Sequence, residues 1–128
     1  MIMMIKENDN CYKLLMQNPK NPTEFGEISK LTKLDYDRML TWVKKIRNDN
    51  KKDAWYQFPS TDYRVFTITR WIQRDDDDYI ISGNFGSVIL SEMIGVEMDM
   101  MIFELECLVN HQCGTPAYFP PAKDKEND

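Results

Sequence analysis

The chain has 128 residues, 42% of them hydrophobic and 29% charged, and a formal net charge of −5. That length suits one domain with a core that needs no disulfide or metal staple, and the composition excludes a mainly disordered chain. No apolar run approaches the roughly 20 residues of a membrane span, MIMMIK is too short for a signal-peptide core, and three scattered cysteines fit reduced thiols, so a cytoplasmic protein is expected.

Residues 1–24 carry a short apolar set, Tyr12, Leu14, Leu15 and Met16, which predicts a helix ending near Asn18-Pro19. Pro19 and Pro22 then mark an irregular link. From Glu27 to Asn48 apolar residues return at helical spacing: Ile28, Leu31 and Leu34, then Tyr36, Met39, Leu40, Val43 and Ile46. The spacing predicts a helix from about Asp35 to Arg47, with Lys44, Lys45 and Arg47 placed late, where the helix dipole favours cations. Phe25 to Thr32 reads as a separate short helix.

After the polar turn NDNKKD the period changes to two. Ala54–Phe58 and Tyr63–Ile72 form a hairpin across Pro59-Ser60-Thr61-Asp62. Arg74 and four aspartates make the next turn, Tyr79-Ile80-Ile81 the third strand, Gly83-Asn84 a tight turn, and Ser87–Leu90 a fourth strand. These four strands are expected to form one antiparallel meander.

Glu92 to His111 then reads as one long helix, with Ser91 as its N-cap. Placing its side chains at 100° per residue puts Ile94, Met98, Met101, Ile102, Leu105, Leu108 and Val109 on the face expected to cover the sheet. Val96, Met100, Phe103 and Cys107 fall on the opposite face, with Glu97 and Glu104 on one flank and Asp99 and Glu106 on the other. The second apolar face must also be covered, and Leu14, Leu15, Met39 and Val43 of the N-terminal half are the expected cover, although pairing with a partner or a weak dimer would also serve. The fold class is therefore α+β: N-terminal helices, a four-stranded antiparallel β-meander, and a long C-terminal helix packed on the sheet. Residues 1–121 are one domain and residues 122–128 a disordered tail.

Charge is uneven along the chain. Residues 27–74 carry eleven bases against six acids, and residues 75–128 carry two against twelve. Ile28 to Arg47 has the length and apolar spacing of a helix-turn-helix followed by wing-like strands, which would make Arg38, Lys44, Lys45 and Arg47 contacts to DNA. Lys33 stands where that turn usually carries glycine, and Asp35 and Asp37 would oppose phosphates, so a plain core helix is the commoner meaning of this spacing. The run Asp75, Asp76, Asp77, Asp78 offers a basic partner or a cation four carboxylates, but without the glycine and distal glutamate of a calcium loop. Cys107, His111, Cys113 and distant Cys11 match no common zinc spacing. No nucleophile–base arrangement and no phosphate loop can be named, so the expectation is a non-enzyme without cofactor or metal.

Several stretches taken together resemble one known family. Phe25-Gly26, the helix with Trp42 followed by Val43-Lys44-Lys45-Ile46, and Trp55-Tyr56-Gln57-Phe58 come first. Ser82-Gly83-Asn84-Phe85, Leu90-Ser91, Gly95 and the apolar helix follow, so the likeness covers about residues 25–110. In order and spacing this resembles the ArdB/KlcA antirestriction proteins of plasmids and phages. It departs from them at Lys51-Lys52-Asp53, where members usually carry glycines, and at Thr67-Ile68-Thr69, where they carry a Met-Ala-Pro-like segment. The resemblance implies an α+β protein, not an enzyme, that relieves type I restriction of incoming DNA by acting on a protein component of host defence. It implies no catalytic residues and no direct DNA binding. Asp75 to Asp78 and Phe103 are the candidate partner contacts. The competing readings are a winged-helix regulator and an acidic immunity protein that neutralises a basic toxin.

Overall fold

A computed structural model describes residues 1–48, 54–60, 65–71, 78–83, 88–110 and 116–122, with the side chain of Trp71 excepted. Three strands open the chain: β1 (Ile2–Asn8), β2 (Cys11–Asn18) and β3 (Asn21–Thr32). The N-terminal helices expected from the apolar set at Tyr12–Met16, and from Phe25–Thr32, are therefore not formed. What decides between helix and strand here is the turns. Asn8 folds its side-chain oxygen onto the N–H of Asn10 (2.8 Å), and Asn18 does the same to Lys20 (2.9 Å). These asparagine turns reverse the chain twice, ten residues apart, and leave strands between them. Ile2, Met4 and Lys6 then point to one side of β1, and Tyr12 and Leu14 to the same side of β2.

Helix α1 (Lys33–Asn48) follows β3 directly, and Thr32 Oγ1 caps it by accepting the N–H of Asp35 at 3.1 Å. The expected meander is present as β4 (Trp55–Phe58), β5 (Phe66–Trp71), β6 (Asp78–Gly83) and β7 (Val88–Ile94), all antiparallel in the order β4-β5-β6-β7. The last helix, α2 (Gly95–Asn110), starts later than expected. Ser91 is not its N-cap but a buried residue of β7, donating its hydroxyl to the Pro120 carbonyl at 2.6 Å. The cap is supplied from inside the helix, where the Glu97 carboxylate reaches back to the Ile94 N–H at 3.0 Å. Strand β8 (Pro116–Phe119) then returns to pair with β1, Ile2 against Phe119, and completes a second sheet of order β3-β2-β1-β8. The residues expected to form a disordered tail lie outside the described residues from 123 onward.

The two sheets approach each other at both ends of the strand order, and a buried serine bridges each approach. Ser29 of β3 donates to the Pro59 carbonyl just after β4, and Ser91 of β7 donates to Pro120 just after β8. Each helix meets both sheets, and the two run antiparallel, since Tyr36 bonds Leu105 while Arg47 bonds Asp99. A buried strand cation meets each C-terminus: Lys6 Nζ lies 2.7 Å from the Val109 carbonyl, and Arg70 Nη1 lies 3.4 Å from that of Ile46. Both satisfy carbonyls that the last helical turn leaves open, and both sit at the negative end of the dipole. One apolar cluster runs from Ile2 to Phe119 through both sheets and both helices. Among the described residues no helix is long and apolar enough to cross a membrane.

Candidate functional site

The α2 sequence dictates two apolar faces, and the fold covers only one. Met98, Met101, Ile102, Leu105 and Leu108 are buried, as the periodicity predicts. On the other side Val96, Met100 and Phe103 remain 59, 62 and 68% exposed, and Cys107 is half-buried. The expectation that Leu14, Leu15, Met39 and Val43 cover this strip is overturned. Leu14, Met39 and Val43 are themselves inside the core cluster. Leu15 sits on β2, next in the chain to the buried Leu14 and so on the other face of its sheet. With strands in place of N-terminal helices, no described element covers this outer face of α2. Its strip follows the spacing four, three, four, so the side chains form a continuous ridge along about three helical turns.

The flanks of the ridge are acidic and unequal. α2 contains Glu97, Asp99, Glu104 and Glu106 and no lysine or arginine. On the side of α1, Arg47 holds Asp99 through two hydrogen bonds of 2.8 and 3.1 Å, and Lys44 holds Glu106 at 3.2 Å. Arg47 also lies against the Tyr79 ring, its Cζ 5.8 Å from the centroid, and a Cβ at Gly95 would sit 3.1 Å from Arg47 Nη2. Gly95 thus allows the guanidinium to lie against the start of α2. The Asp99 carboxylate in turn raises the pKa of Arg47, so this cation is permanent. On the far flank Glu97 caps its own helix, and Glu104 is exposed with no ion pair among the described residues.

The other sequence candidates do not come together. Phe103 is the centre of the ridge. Asp78 opens β6 and pairs with Ile94 and Trp71 in the sheet, while Asp75, Asp76 and Asp77 lie outside the described residues. The helix-turn-helix is not formed, because Ile28–Thr32 belongs to β3 and α1 has no helix before it. Of its four basic residues, Lys44 and Arg47 are bound to α2, Lys45 lies 5.1 Å over the Trp42 ring, and Arg38 is exposed. Cys11 Sγ lies 3.5 Å from a Glu7 carboxylate oxygen, and burial together with that carboxylate raises the thiol pKa, which suppresses thiolate chemistry. His111 and Cys113 lie outside the described residues, and among those described no group of three metal-donor side chains occurs. Trp42 and Trp55 are half-exposed.

Sequence reasoning missed the outer face of the first sheet. Ile5, Leu15 and Phe25 line a shallow groove there, beside Lys13, which pairs with Glu7 at 2.8 Å and Glu27 at 3.3 Å. Alternation around the asparagine turns was the available signal. Comparison with family models, with curated proteins and with solved structures gives no match for this chain.

Proposed function

We propose that this chain acts by binding another protein through the outer face of α2, and that its partner is a component of host defence. In this reading it relieves type I restriction of DNA carried by a mobile element. The observation that carries the binding step is the open ridge of Val96, Met100 and Phe103. Three large apolar side chains aligned along one helix are a docking surface by their cost in water, since burying each contributes about 1 to 2 kcal/mol at this degree of exposure. The spaced resemblance to the ArdB/KlcA proteins supplies the target class, and those proteins are read as acting on the defence machinery without imitating DNA.

The α1 geometry favours this over a DNA-binding regulator. Two of the four bases proposed for phosphates neutralise acids of α2, and the helix that would precede α1 is a strand. An immunity protein that neutralises a basic toxin remains the second reading, because α2 carries four acids and no base. A phage plating assay on a host with an active type I system tests the leading reading. Wild-type protein should raise plating on the restricting host, and Phe103→Arg should remove that effect while the protein stays folded. Unchanged restriction with wild-type protein contradicts it, and protection against a toxin encoded upstream selects the second.

A further inference from the structure

Beside the ridge, α2 and β8 enclose a recess of about 250 Å³, lined among the described residues by Glu104, Leu108, Pro116, Ala117 and Tyr118. Its chemistry is graded. Leu108 and Ala117 are nearly inaccessible, at 1 and 4%, and form an apolar floor. Tyr118 keeps half its surface open, and Glu104 follows Phe103 directly in α2. A long cationic side chain fits such a gradient. Its methylene stem would lie on the apolar floor, its charge would meet the carboxylate, and the tyrosine ring would add attraction to the cation.

We propose that this recess receives a lysine or arginine side chain of the partner, so that the ridge docks into an apolar groove with a basic rim. The proposal rests on the partner-binding reading and adds the chemistry of the partner to it. Charge decides against a second copy of this chain as the occupant. A two-fold antiparallel pairing of α2 with itself sets the Glu97 and Glu104 flank against the same flank of the other copy. A parallel pairing sets it against Asp99 and Glu106, which Arg47 and Lys44 already neutralise. Neither brings a free cation to Glu104, and like charges facing each other cost affinity. A basic-rimmed groove satisfies Glu104 and covers Phe103 together.

The test uses isotope-labelled full chain titrated with a short helical peptide that has leucines on one face and arginines on its flanks. The control is the same peptide with glutamates in place of the arginines. The arginine peptide should shift the amide signals of Phe103, Glu104, Leu108, Ala117 and Tyr118, bind more weakly as salt rises, and lose about tenfold in affinity against Glu104→Gln. No shift with the arginine peptide overturns the proposal, as do equal binding of the glutamate peptide, shifts elsewhere, or an unchanged affinity in Glu104→Gln. Concentration-dependent self-association that Phe103→Arg abolishes assigns the ridge to a second copy and overturns it as well. The plating assay separates the two claims. If wild-type protein relieves restriction, Phe103→Arg does not and Glu104→Gln does so fully, the binding reading stands and the recess falls. If wild-type protein gives no relief while the peptide results hold, the recess stands and the antirestriction reading falls.

Discussion

Two tyrosines stacked at the heart of the molecule show how burial acts on single residues. The rings of Tyr12 and Tyr36 lie 3.9 Å apart and nearly parallel, and both side chains are fully buried. Tyr36 donates its hydroxyl to the Leu105 carbonyl at 2.6 Å and so ties α1 to α2, whereas the Tyr12 hydroxyl finds no hydrogen-bond partner among the described residues. The two should therefore respond oppositely to loss of the oxygen. Tyr36→Phe should cost about 1 kcal/mol, and Tyr12→Phe should be neutral or stabilising by up to about 1 kcal/mol, because an unpaired buried hydroxyl is a penalty. Urea denaturation of both variants checks this. Burial raises the pKa of both phenols and of Tyr56, so the folded protein holds these protons where the unfolded chain releases them. Stability is then fully present below the unfolded tyrosine pKa of about 10 and falls as pH rises beyond it. Melting temperature measured from pH 8 to 11 should fall above about pH 10, and less steeply in Tyr36→Phe. Neither the stacking nor the missing partner was legible in the sequence, since residues 24 positions apart meet only through the register of β2 with β3 and the start of α1.

At the scale of elements, the legible parts are those whose two sides differ most. β4 and β5 alternate between covered and open positions and α1 has one apolar stripe, whereas β6 is buried on both faces and reads as a strand from its Tyr79-Ile80-Ile81 run instead. The first three strands were misread because in β3 a bulge at Ile28 sets Phe25, Ile28 and Leu31 at helical spacing, and in β1 and β2 the outer face is also apolar. Met3, Ile5 and Leu15 interleave with Met4 and Leu14, and the period of two is blurred. Ser91 was misread as a cap for a related reason: serine before an apolar run fits a helix start, but its hydroxyl serves the closure of the two sheets. α2 is the reverse case, where periodicity assigned both faces correctly and could not say which neighbour would cover the second. The two faces give a paired prediction. Ile102→Asp buries an unpaired charge in the core and should cost more than about 4 kcal/mol, a large share of the roughly 5–15 kcal/mol expected for a domain. Phe103→Arg, on the exposed side, should change stability by no more than about 0.5 kcal/mol. Thermal melts followed by circular dichroism separate them, and a folded Ile102→Asp would mean that the faces are exchanged.

Across the whole molecule, the contacts that close the fold join the ends of the chain. β8 pairs with β1, and Lys6 near the N-terminus completes the last turn of α2. Such pairings leave no local pattern, and the proline-bounded Pro116–Phe119 segment carries too few residues to announce a strand. The charge asymmetry of the sequence also changes meaning in three dimensions. The basic middle segment and the acidic last third do not form opposite poles along their common helix contact. Arg47 and Lys44 of the one neutralise Asp99 and Glu106 of the other. On α2 this leaves an apolar ridge pointing away from the core, with Glu104 beside it in no ion pair among the described residues. The proposed binding of another protein at this ridge can be tested in place. A photo-crosslinking phenylalanine analogue at position 103, expressed in a host with an active type I system and irradiated, should yield a covalent adduct with a subunit of the restriction-modification complex. The same analogue at exposed Thr23 of β3 should yield none. Relief of restriction that persists while position 103 forms no adduct with any subunit of that complex would contradict the claim.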